Sequence, residues 1–573
     1  MKFKGIGFVG RLRLLSTFFI LIALFLTARL YFIQVVHGEE YRRSALGQYV
    51  EPSRDTEDRW DIFLSEKHDN LVAGAVMQTG WRIAISPKEI SDPEKLYDRL
   101  STHVSLDRER FFASAAKTSD PYEEVAFRVS DEEAALVRSE KLPGVILVQD
   151  KWRFYPGEEL AAHAIGFVGY QGDKRVGVYG LERFWEDTLL KRSSGLYVNP
   201  FAEIFTSIGD AIVNDATESR GSIITTIEPS VQGRLEEVLE GVMETYAPKS
   251  AAGIVMDPHT GEIVAIGARP AFDPNTYNTV DDASVFSNIL VENVYEMGSI
   301  MKPLTVAAGI DAGAVTPRTK YEDTGCIERS GKKICNYDGK ARGVVSIQEV
   351  LNQSLNLGVT FIVDTMRHSV FREYVHAYGL GERTNIELPN EARGIIGALD
   401  RDYDVDFASA SFGQGIAVTG IGMIRALGAL ANDGIVPSPH IVKGIRLESG
   451  VERSLEPAPG PRVLKSETVQ TVSTMLTEVY DDALLGGILK QEHYSIAAKT
   501  GTAQIAVPGS DGYSKDRFLH SFFGYFPAHD PKYIVFLMTV EPHGAEFASA
   551  TLARPFLDIT KFLINYYNVA PDR

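Results

Sequence analysis

The stretch "YEMGSIMKPLT", Tyr295–Thr305, places a serine and a lysine three residues apart, directly before a proline. Residues i and i+3 share one face of a helix, so Ser299 and Lys302 can meet if a helix begins here. Pro303 is compatible with a helix start, because the first backbone N–H groups of a helix have no intrahelical partner. A serine that only caps a helix, followed by a solvated lysine, gives the same pattern. The rest of the chain has to decide between the two interpretations.

Two further short motifs favour the catalytic interpretation. The stretch "LNQSLNLGV" contains Ser354 and Asn356, the only S-x-N of the chain, and "AAKTGTAQ" contains the only K-T-G, residues 499–501. Each motif alone is weak evidence, since S-x-N is common in turns and caps. A second serine and lysine at this spacing, Ser330 and Lys333, lie in a predicted turn and have no such companions.

The order S-x-x-K, S-x-N, K-T-G is shared by penicillin-binding proteins and serine β-lactamases. The chain resembles a class B penicillin-binding protein, a monofunctional D,D-transpeptidase of bacterial cell-wall synthesis. The resemblance implies that the chain cross-links peptidoglycan stem peptides through a serine acyl-enzyme formed on a D-Ala-D-Ala donor, without a cofactor or metal, and that β-lactams acylate it. It covers nearly the whole chain, in "RLYFIQVVHGEEY", "RFYPGEELAAHAIGFVG", "GVYGLERFWEDTL", "GEIVAIGARPAFDPNTYN", "SFGQGIAVT" and "HSFFGYFPAHDPKY".

The resemblance assigns a role to each motif residue. Ser299 is the nucleophile and Lys302 its base, because a serine hydroxyl attacks a carbonyl efficiently only when a base takes its proton. Lys302 can act only when neutral, so burial or a neighbouring cation has to lower its pKa, and Lys499 is a candidate for that cation. Ser354 is expected to relay a proton to the leaving amine. Asn356 is expected to hold the amide backbone of the substrate.

The K-T-G strand is expected to bind substrate through Thr500, Gly501 and Thr502. In the family, the residue matching Lys499 faces the substrate carboxylate. Gly501 has no side chain, so a substrate strand can approach this edge closely. The resemblance places the oxyanion between the backbone N–H groups of Ser299 and Thr502, an arrangement that stabilises the transition state strongly.

The stretch before and after the nucleophile departs from the family. Met297, Ile300 and Met301 stand where the family usually has Pro, Thr and Phe. This departure predicts a looser loop in front of the nucleophile.

Composition places the chain among globular proteins. Its 573 residues are 44% hydrophobic and 23% charged, with a formal net charge of −18. Nucleic acid is not expected as a partner, because phosphate binding draws on clustered Lys and Arg.

The amino terminus predicts a membrane anchor. Residues 2–13 carry four basic and no acidic side chains, and "LLSTFFILIALFLTARLYFIQVV" follows at residues 14–36. This apolar run can cross a hydrocarbon layer of about 30 Å, and no A-x-A site follows it, as would be expected of a cleaved signal peptide. The basic flank stays inside, so everything after about residue 37 is expected outside the cytoplasmic membrane of a bacterium.

Two cysteines fit an extracytoplasmic location. Cys326 and Cys335 are symmetric about Ser330-Gly331. If those two residues form a hairpin turn, the cysteines become a directly opposed pair, close enough for a disulfide. An oxidising compartment permits the bridge without requiring it. A metal site is not expected, since two cysteines without neighbouring histidines leave a tetrahedral shell incomplete.

The predicted fold class is α+β. We expect a cytoplasmic tail (1–13), a transmembrane helix (14–36), a mixed α/β pedestal of the dimerisation-like type (38–220) and a transpeptidase domain (221–573). In the transpeptidase domain, a mostly helical middle (about 299–433) separates apolar strand patterns at both ends. These predict a central antiparallel five-stranded sheet flanked by helices. The strand patterns are "AAGIVMD", "EIVAIGA", "YSIAAKTGTAQIAV", "FLHSFFGYF" and "YIVFLMTVEP".

Three alternative functions remain open at this stage. A β-lactamase shares the motifs, but the long pedestal argues against it, and a β-lactam sensor is expected to have several membrane spans. A catalytically inactive cell-wall scaffold is the non-enzymatic alternative, which the intact motifs disfavour. No glycosyltransferase segment precedes the pedestal, so the resemblance implies a membrane glycan polymerase as partner, along with other elongation or division proteins. The sequence does not distinguish elongation from septation.

Overall fold

The computed structural model describes residues 20–22, 24–27, 29, 58–172, 174–191, 220–401, 403–507 and 512–573. The predicted tail and most of the predicted transmembrane segment lie outside the described residues. Within the described ranges, no helix is both long and apolar enough to cross a membrane. One compact unit comprises Arg59–Leu190 together with Ser219–Arg573, and it contains all the candidate site residues.

The amino-terminal part of this unit mixes strands and short helices, as expected for the pedestal. Two of its helices lie in "DPEKLYDRLSTHV" and "SDEEAALVRSEKL", and the Ser130 and Glu133 side chains form a capping box on the second of them. Its strands are β1 (Asp58–Arg59), β2 (Ile62–Ser65), β3 (Leu71–Ile85), β4 (Glu123–Val129), β5 (Val145–Phe154), β6 (Val168–Gln171), β7 (Lys174–Gly177) and β8 (Leu190–Lys191). Its helices are α1 (Pro93–Leu100), α2 (Arg108–Ala115), α3 (Asp131–Glu140), α4 (Ala162–Ile165), α5 (Gly180–Phe184) and α6 (Glu186–Leu189).

The carboxy-terminal part begins with a strand and a long helix. The strands are β9 (Gly221–Thr225), β10 (Ser250–Met256), β11 (Ile263–Arg269), β12 (Lys320–Asp323), β13 (Cys326–Arg329), β14 (Lys332–Cys335), β15 (Gly343–Ser346), β16 (Val442–Leu447), β17 (Glu452–Ser454), β18 (Ala497–Ala506), β19 (Tyr513–Phe526) and β20 (Tyr533–Val540). The helices are α7 (Pro229–Tyr246), α8 (Lys302–Asp311), α9 (Ile347–Asn352), α10 (Asn356–Met366), α11 (His368–Ala377), α12 (Asp404–Ser411), α13 (Gly420–Gly428), α14 (Ser466–Glu478) and α15 (Ala548–Tyr567).

A five-stranded sheet forms the centre of the carboxy-terminal part. Its order is β11-β10-β20-β19-β18, and every neighbouring pair is antiparallel. The early strands β11 and β10 therefore join the three late strands through the pairing of β10 with β20, so the two ends of this part of the chain meet in one sheet, as the strand patterns predict.

Both faces of this sheet are covered, which explains the uninterrupted apolar run of β20. Successive side chains of a strand point to opposite faces. Val535 and Leu537 pack with Phe556 of α15, whereas Ile534 and Phe536 belong to the main core on the other side of the sheet. A strand buried on both faces has no polar face, so its sequence does not alternate.

A second sheet crosses the predicted boundary at residue 220. Its strands follow the order β17-β16-β9-β2-β3-β4, with β5 also paired to β3. Strand β9 pairs with β2 in parallel and with β16 in antiparallel orientation. The amino- and carboxy-terminal parts thus share a hydrogen-bonded sheet, and the boundary between residues 220 and 221 stays a prediction.

The middle of the carboxy-terminal part is less helical than expected. Strands β12 to β15 form two small antiparallel pairs between α8 and α9. In the β13-β14 hairpin, Cys326 is directly opposite Cys335, and a disulfide joins them. Ser330 and Gly331 both have positive φ angles, as a two-residue hairpin turn requires. The predicted register and turn are confirmed.

Candidate active site

The candidate nucleophile lies on a tight turn that leads into a helix. Gly298 has a φ of 61°, and Ser299 follows in a single turn of 3-10 helix at Gly298–Met301. Helix α8 begins directly after it at Lys302, with Pro303 in its first turn. The predicted helix start is confirmed, and it places Ser299 half-buried, next to a fully buried lysine.

The ammonium group of Lys302 contacts the S-x-N motif. Its Nζ donates to the backbone oxygen of Ser354 at 2.5 Å and to the Ser354 hydroxyl at 3.2 Å. Among the described residues, no hydrogen bond joins Lys302 to Ser299. The shared helix face therefore brings the lysine beside the serine, and its hydrogen bonds go to a third residue that the i, i+3 spacing alone does not predict.

Lys499 approaches the same hydroxyl from strand β18. Its Nζ donates to Ser354 Oγ at 3.1 Å and to the backbone oxygen of Thr500 at 3.1 Å, and its side chain is almost fully buried. Three residues from three separate motifs thus meet at one oxygen atom. The described residues around them include no carboxylate partner for either lysine.

Burial and mutual repulsion favour the neutral form of one lysine. Desolvation, followed by the nearby charge of Lys499, lowers the pKa of Lys302 well below its ordinary value. Desolvation alone lowers the pKa of Lys499 to about 8. Lys302 is therefore the better candidate for a base, and Lys499 the better candidate for a cation near neutral pH. Burial and a neighbouring cation, either of which was expected to lower the pKa of Lys302, are both present.

Ser354 occupies a short connection between α9 and α10. Its φ of 54° is unusual for a residue other than glycine, and this conformation turns the chain into α10. The backbone N–H of Leu355 donates to the backbone oxygen of Val350. Both residues are buried, so this hydrogen bond holds the connection in place. The Ser354 hydroxyl is held at the position where both lysines reach it.

Asn356 is held by the disulfide-linked hairpin. Its Nδ2 donates to the backbone oxygen of Cys335 at 2.9 Å. The side-chain oxygen of Asn336, which follows Cys335, accepts a hydrogen bond from the backbone N–H of Leu357 at 3.3 Å. These contacts use one amide hydrogen of Asn356 and leave its side-chain oxygen able to accept a bond from a ligand. Asn356 is half-buried and lies two residues after Ser354, the hydrogen-bond partner of both lysines.

Strand β18 runs directly past the turn that carries the nucleophile. A Cβ atom on Gly298 would lie 2.8 Å from the backbone oxygen of Thr502. Ser299 and Thr502, the two residues expected to supply oxyanion donors, are thus on neighbouring backbone segments. The Thr502 hydroxyl accepts a bond from the backbone N–H of Ala548 at 3.1 Å, which ties the strand to the start of α15.

Gly501 is required by the protein's own packing. A Cβ atom at this position would lie 2.4 Å from Ser521 Oγ and 2.8 Å from the backbone oxygen of Met297. The approach of a substrate strand is the reason expected from the sequence for this glycine. The structure adds a second reason, because Ser521 and the turn before Ser299 occupy the space that a side chain would fill.

The expectation of a loose loop before the nucleophile is wrong. Met297, Ile300 and Met301 are all buried in the main core, so these apolar side chains anchor the turn. Ser521, a fully buried residue of β19, donates to the backbone oxygen of Met297 at 3.0 Å. Ser521 has no signal in the sequence, since only the register of β19 against β18 brings it to this turn.

The second serine and lysine pair has no such surroundings. Ser330 is exposed at the tip of the β13-β14 hairpin, and Lys333 is an exposed residue of β14 opposite Glu328. Among the described residues, no group of three or more His, Cys, Asp or Glu side chains is arranged to hold a metal ion.

Comparison with known proteins agrees with this geometry. The sequence profile described as penicillin binding protein transpeptidase domain matches residues 251–560, which is more than half of the chain. The chain belongs to the penicillin-binding proteins. A second profile, the penicillin-binding protein dimerisation domain, matches residues 67–198. The resemblance inferred from the motifs is confirmed, and the chain is a class B penicillin-binding protein.

Individual relatives cover most of this penicillin-binding protein. Stage V sporulation protein D of Bacillus subtilis is 26% identical over 97% of this chain and 85% of its own length. Peptidoglycan D,D-transpeptidase FtsI of Escherichia coli is 26% identical over 78% of this chain and 73% of its own. The crystal structure of penicillin-binding protein 3 of Mycobacterium tuberculosis complexed with ampicillin shares the fold, with a TM-score of 0.68 and 22% identity, over 90% of this chain and 97% of that chain.

Proposed function

We propose that this penicillin-binding protein is a peptidoglycan D,D-transpeptidase that works through an acyl-enzyme on Ser299. The observation that carries the proposal is the meeting of Lys302 and Lys499 at the Ser354 hydroxyl, beside a serine on a helix-initiating turn. The family membership and the name of the Escherichia coli relative support the substrate, a stem peptide ending in D-Ala-D-Ala.

Acylation begins with the transfer of the Ser299 proton. Neutral Lys302 takes the proton while the serine oxygen attacks the carbonyl carbon of the penultimate D-Ala. The negative charge that develops on the carbonyl oxygen is stabilised by the backbone N–H groups of Ser299 and Thr502. The C–N bond then breaks, and the leaving D-Ala receives a proton from Lys302 through the Ser354 hydroxyl. The product is an ester on Ser299.

The second step reverses these proton movements. The amine of another stem peptide loses a proton to the Lys302–Ser354 pair and attacks the ester carbonyl. The new peptide bond forms as the C–O bond to Ser299 breaks, and the serine oxygen regains its proton. A β-lactam enters the same first step, but its leaving nitrogen stays attached to the acyl group after the ring opens. The bound nitrogen then occupies the path that the acceptor amine would take.

Binding is assigned to the residues that surround the acyl group. Charged Lys499 attracts the terminal carboxylate of the donor, with Thr500 beside it on β18. The free side-chain oxygen of Asn356 accepts a bond from a backbone N–H of the donor. Asn356 is suited to this task because the bond to Cys335 fixes its orientation. These contacts hold the scissile carbonyl next to Ser299.

Labelling with a fluorescent penicillin tests the proposal against its alternatives. A stable label on the wild-type chain, together with dipeptide-exchange activity on a D-Ala-D-Ala peptide, supports the transpeptidase. Rapid release of the label as hydrolysed penicillin would identify a β-lactamase. A stable label without any peptide exchange would indicate a sensor. The absence of a label would leave only an inactive scaffold.

The location and partners of the chain form a second part of the proposal. Residues 14–36 anchor the protein in the cytoplasmic membrane with the amino terminus inside, and residues 38–220 and 221–573 form an extracytoplasmic pedestal and transpeptidase domain. The basic flank and the apolar run of the sequence support this topology. Protease added to spheroplasts is expected to leave a short membrane-bound stub. An intact chain that becomes sensitive only after lysis would contradict the topology.

A membrane glycan polymerase and other elongation or division proteins are the proposed partners. The family models cover a dimerisation domain and a transpeptidase domain, and a transpeptidase needs a polymerase to supply glycan strands. Cross-linking of the chain in its native membrane, followed by identification of the captured proteins, tests this. Capture of wall proteins without any polymerase would contradict it.

A further inference from the structure

We propose that Ser521 is a positioning residue for acylation, which holds the nucleophile turn against the K-T-G strand and so fixes the two halves of the oxyanion hole. The inference rests on the proposed function, since it concerns the same reaction. Ser521 belongs to β19, the strand between β18 and β20. Its side chain is fully buried, so it is not exposed to a substrate that approaches Ser299 from solvent.

The Ser521 hydroxyl lies at the junction of three backbone segments. It is 3.0 Å from the backbone oxygen of Met297 and 3.4 Å from that of Gly501, and its own residue is fully buried. A serine hydroxyl has one hydrogen to donate, so the closer oxygen, on Met297, is the better acceptor. One side chain therefore connects strand β19 to the turn that precedes the nucleophile.

The turn has few other polar connections to the sheet. The backbone N–H of Gly298 donates to Gly413 at 3.1 Å, which ties the turn to the "SFGQG" segment on another side. The contact between Gly298 and Thr502 is one of packing. The Tyr513 hydroxyl of β19 also donates to the side chain of Glu296, the residue before Met297, at 3.2 Å. Among the described residues, Ser521 supplies the hydrogen bond from the sheet to the backbone of the turn, and its paired residue on β18 is Gly501, directly before Thr502.

The geometry of the oxyanion hole depends on this junction. Its two donors are the N–H groups of Ser299 and Thr502. Thr502 directly follows Gly501, and only Gly298 lies between Met297 and Ser299. Loss of the hydroxyl would leave the Met297 oxygen buried without its side-chain donor and allow the turn to move relative to the strand. A displacement of about 1 Å can cost about 100-fold in rate, because the donors act only when they are correctly placed.

The side chain at this position must also be small. The space between Ser521 Oγ and Gly501 cannot hold even one added carbon on the glycine. Alanine at 521 keeps the size of the residue and removes only the hydroxyl. The substitution Ser521→Ala therefore tests the hydrogen bond rather than the packing.

The experiment separates the binding of a penicillin from its covalent reaction. Stopped-flow measurement with a fluorescent penicillin gives the dissociation constant of the first complex and the rate constant of acylation. For Ser521→Ala we expect acylation to be slower by tenfold or more, with the dissociation constant changed less than twofold, because the residue does not contact the ligand. Ser65→Ala is the matched control, since Ser65 is also buried and its hydroxyl donates to a backbone oxygen, that of Thr225, at 2.6 Å.

The control distinguishes positioning from stability. Both variants are expected to lower the unfolding midpoint to a similar extent, and only Ser521→Ala is expected to slow acylation. An acylation rate constant for Ser521→Ala within twofold of wild type, or an equal loss in Ser65→Ala, would overturn the inference. If Ser521→Ala does not fold, Ser521→Cys is measured instead, with a smaller loss expected because a thiol is a weak donor. A wild-type chain that does not react with penicillin would instead refute the proposed function.

Discussion

Lys302 and Lys499 donate hydrogen bonds to the same atom, Ser354 Oγ, at 3.2 and 3.1 Å. A serine oxygen has two lone pairs, so these two bonds use its acceptor capacity and leave its hydrogen free to be donated. Both lysines are buried, and two charges this close would repel each other in a poorly solvated site. The arrangement therefore favours one neutral and one charged lysine, which is the combination that a base and a carboxylate-binding cation require.

Replacement of the base is expected to slow the covalent step. Lys302→Ala removes the group that takes the Ser299 proton, so the acylation rate constant should fall by about 10² to 10⁴. The first, non-covalent complex with penicillin should change little. Stopped-flow kinetics measures both quantities, and Lys333→Ala, an exposed lysine of β14, is the control. A loss smaller than about tenfold would mean that another group takes the proton.

The rate of acylation is expected to rise with increasing pH and then to fall. Lys302 must be neutral, and its pKa is lowered by burial and by the charge of Lys499, so the rate rises with pH as Lys302 loses its proton. Lys499 has a pKa of about 8, so its attraction for a carboxylate declines above that pH. The second-order rate constant of acylation, measured across the acid and alkaline range, should show the fall near pH 8.

Replacement of the cation should change both limbs of this profile. Lys499→Ala removes a positive charge beside Lys302, so the pKa of Lys302 rises and the rising limb moves to higher pH. The fall near pH 8 should disappear. Anionic substrates should lose more activity than their esters, because only the former have a carboxylate to recognise. Equal losses for both forms, with an unmoved rising limb, would show that Lys499 does not act in this way.

A methyl group at Gly501 is expected to disturb the nucleophile turn. The added carbon would lie 2.4 Å from Ser521 Oγ and 2.8 Å from the backbone oxygen of Met297, so the turn or the strand has to move. Gly501→Ala should lower both the unfolding midpoint and the acylation rate. Gly241→Ala is the control, because no atom lies within 4 Å of the added carbon in α7 and the helix should gain roughly 0.5–1 kcal/mol. Normal acylation by Gly501→Ala would contradict the packing described for this junction.

The disulfide is expected to stabilise its hairpin. Cys326 and Cys335 are nine residues apart in sequence, and closing a loop of this size restricts the unfolded chain by about 2–3 kcal/mol. Replacing both cysteines with serine should therefore increase hydrogen exchange in β13 and β14. Mass spectrometry of non-reduced peptides should find the two residues linked. Two freely alkylated thiols in the chain made under oxidising conditions would contradict the bridge.

Local patterns predicted much of this fold because the signals were short-range. The hairpin of Cys326 and Cys335 followed from symmetry about Ser330-Gly331, and a two-residue turn fixes its own register. The strand at Gly221–Thr225 and the helix at Pro229–Tyr246 have equally local signals, an apolar run and a proline at the helix start. The small strands β12 and β15 were missed, since their few residues pair across an intervening hairpin.

The sequence predicted which residues form the site, but it did not predict which of their atoms contact each other. The three motifs named the residues that meet, but the i, i+3 spacing suggested a bond between Ser299 and Lys302, whereas Lys302 reaches Ser354 from another element. Ser521 had no sequence signal of its own, because its contact with Met297 exists only through the pairing of β19 with β18. The sheet shared across residue 220 was also hidden, since β9 pairs with strands distant in sequence.

The residue to which penicillin becomes attached decides whether Ser299 is the nucleophile. The chain is incubated with penicillin, digested, and the modified peptide is sequenced by mass spectrometry, in parallel with the Ser299→Ala and Ser330→Ala variants. We predict a single adduct on Ser299, lost completely in Ser299→Ala and unchanged in Ser330→Ala, because Ser299 lies beside the lysine pair and Ser330 does not. An adduct on any other serine, or one that persists in Ser299→Ala, would contradict the assignment of the nucleophile.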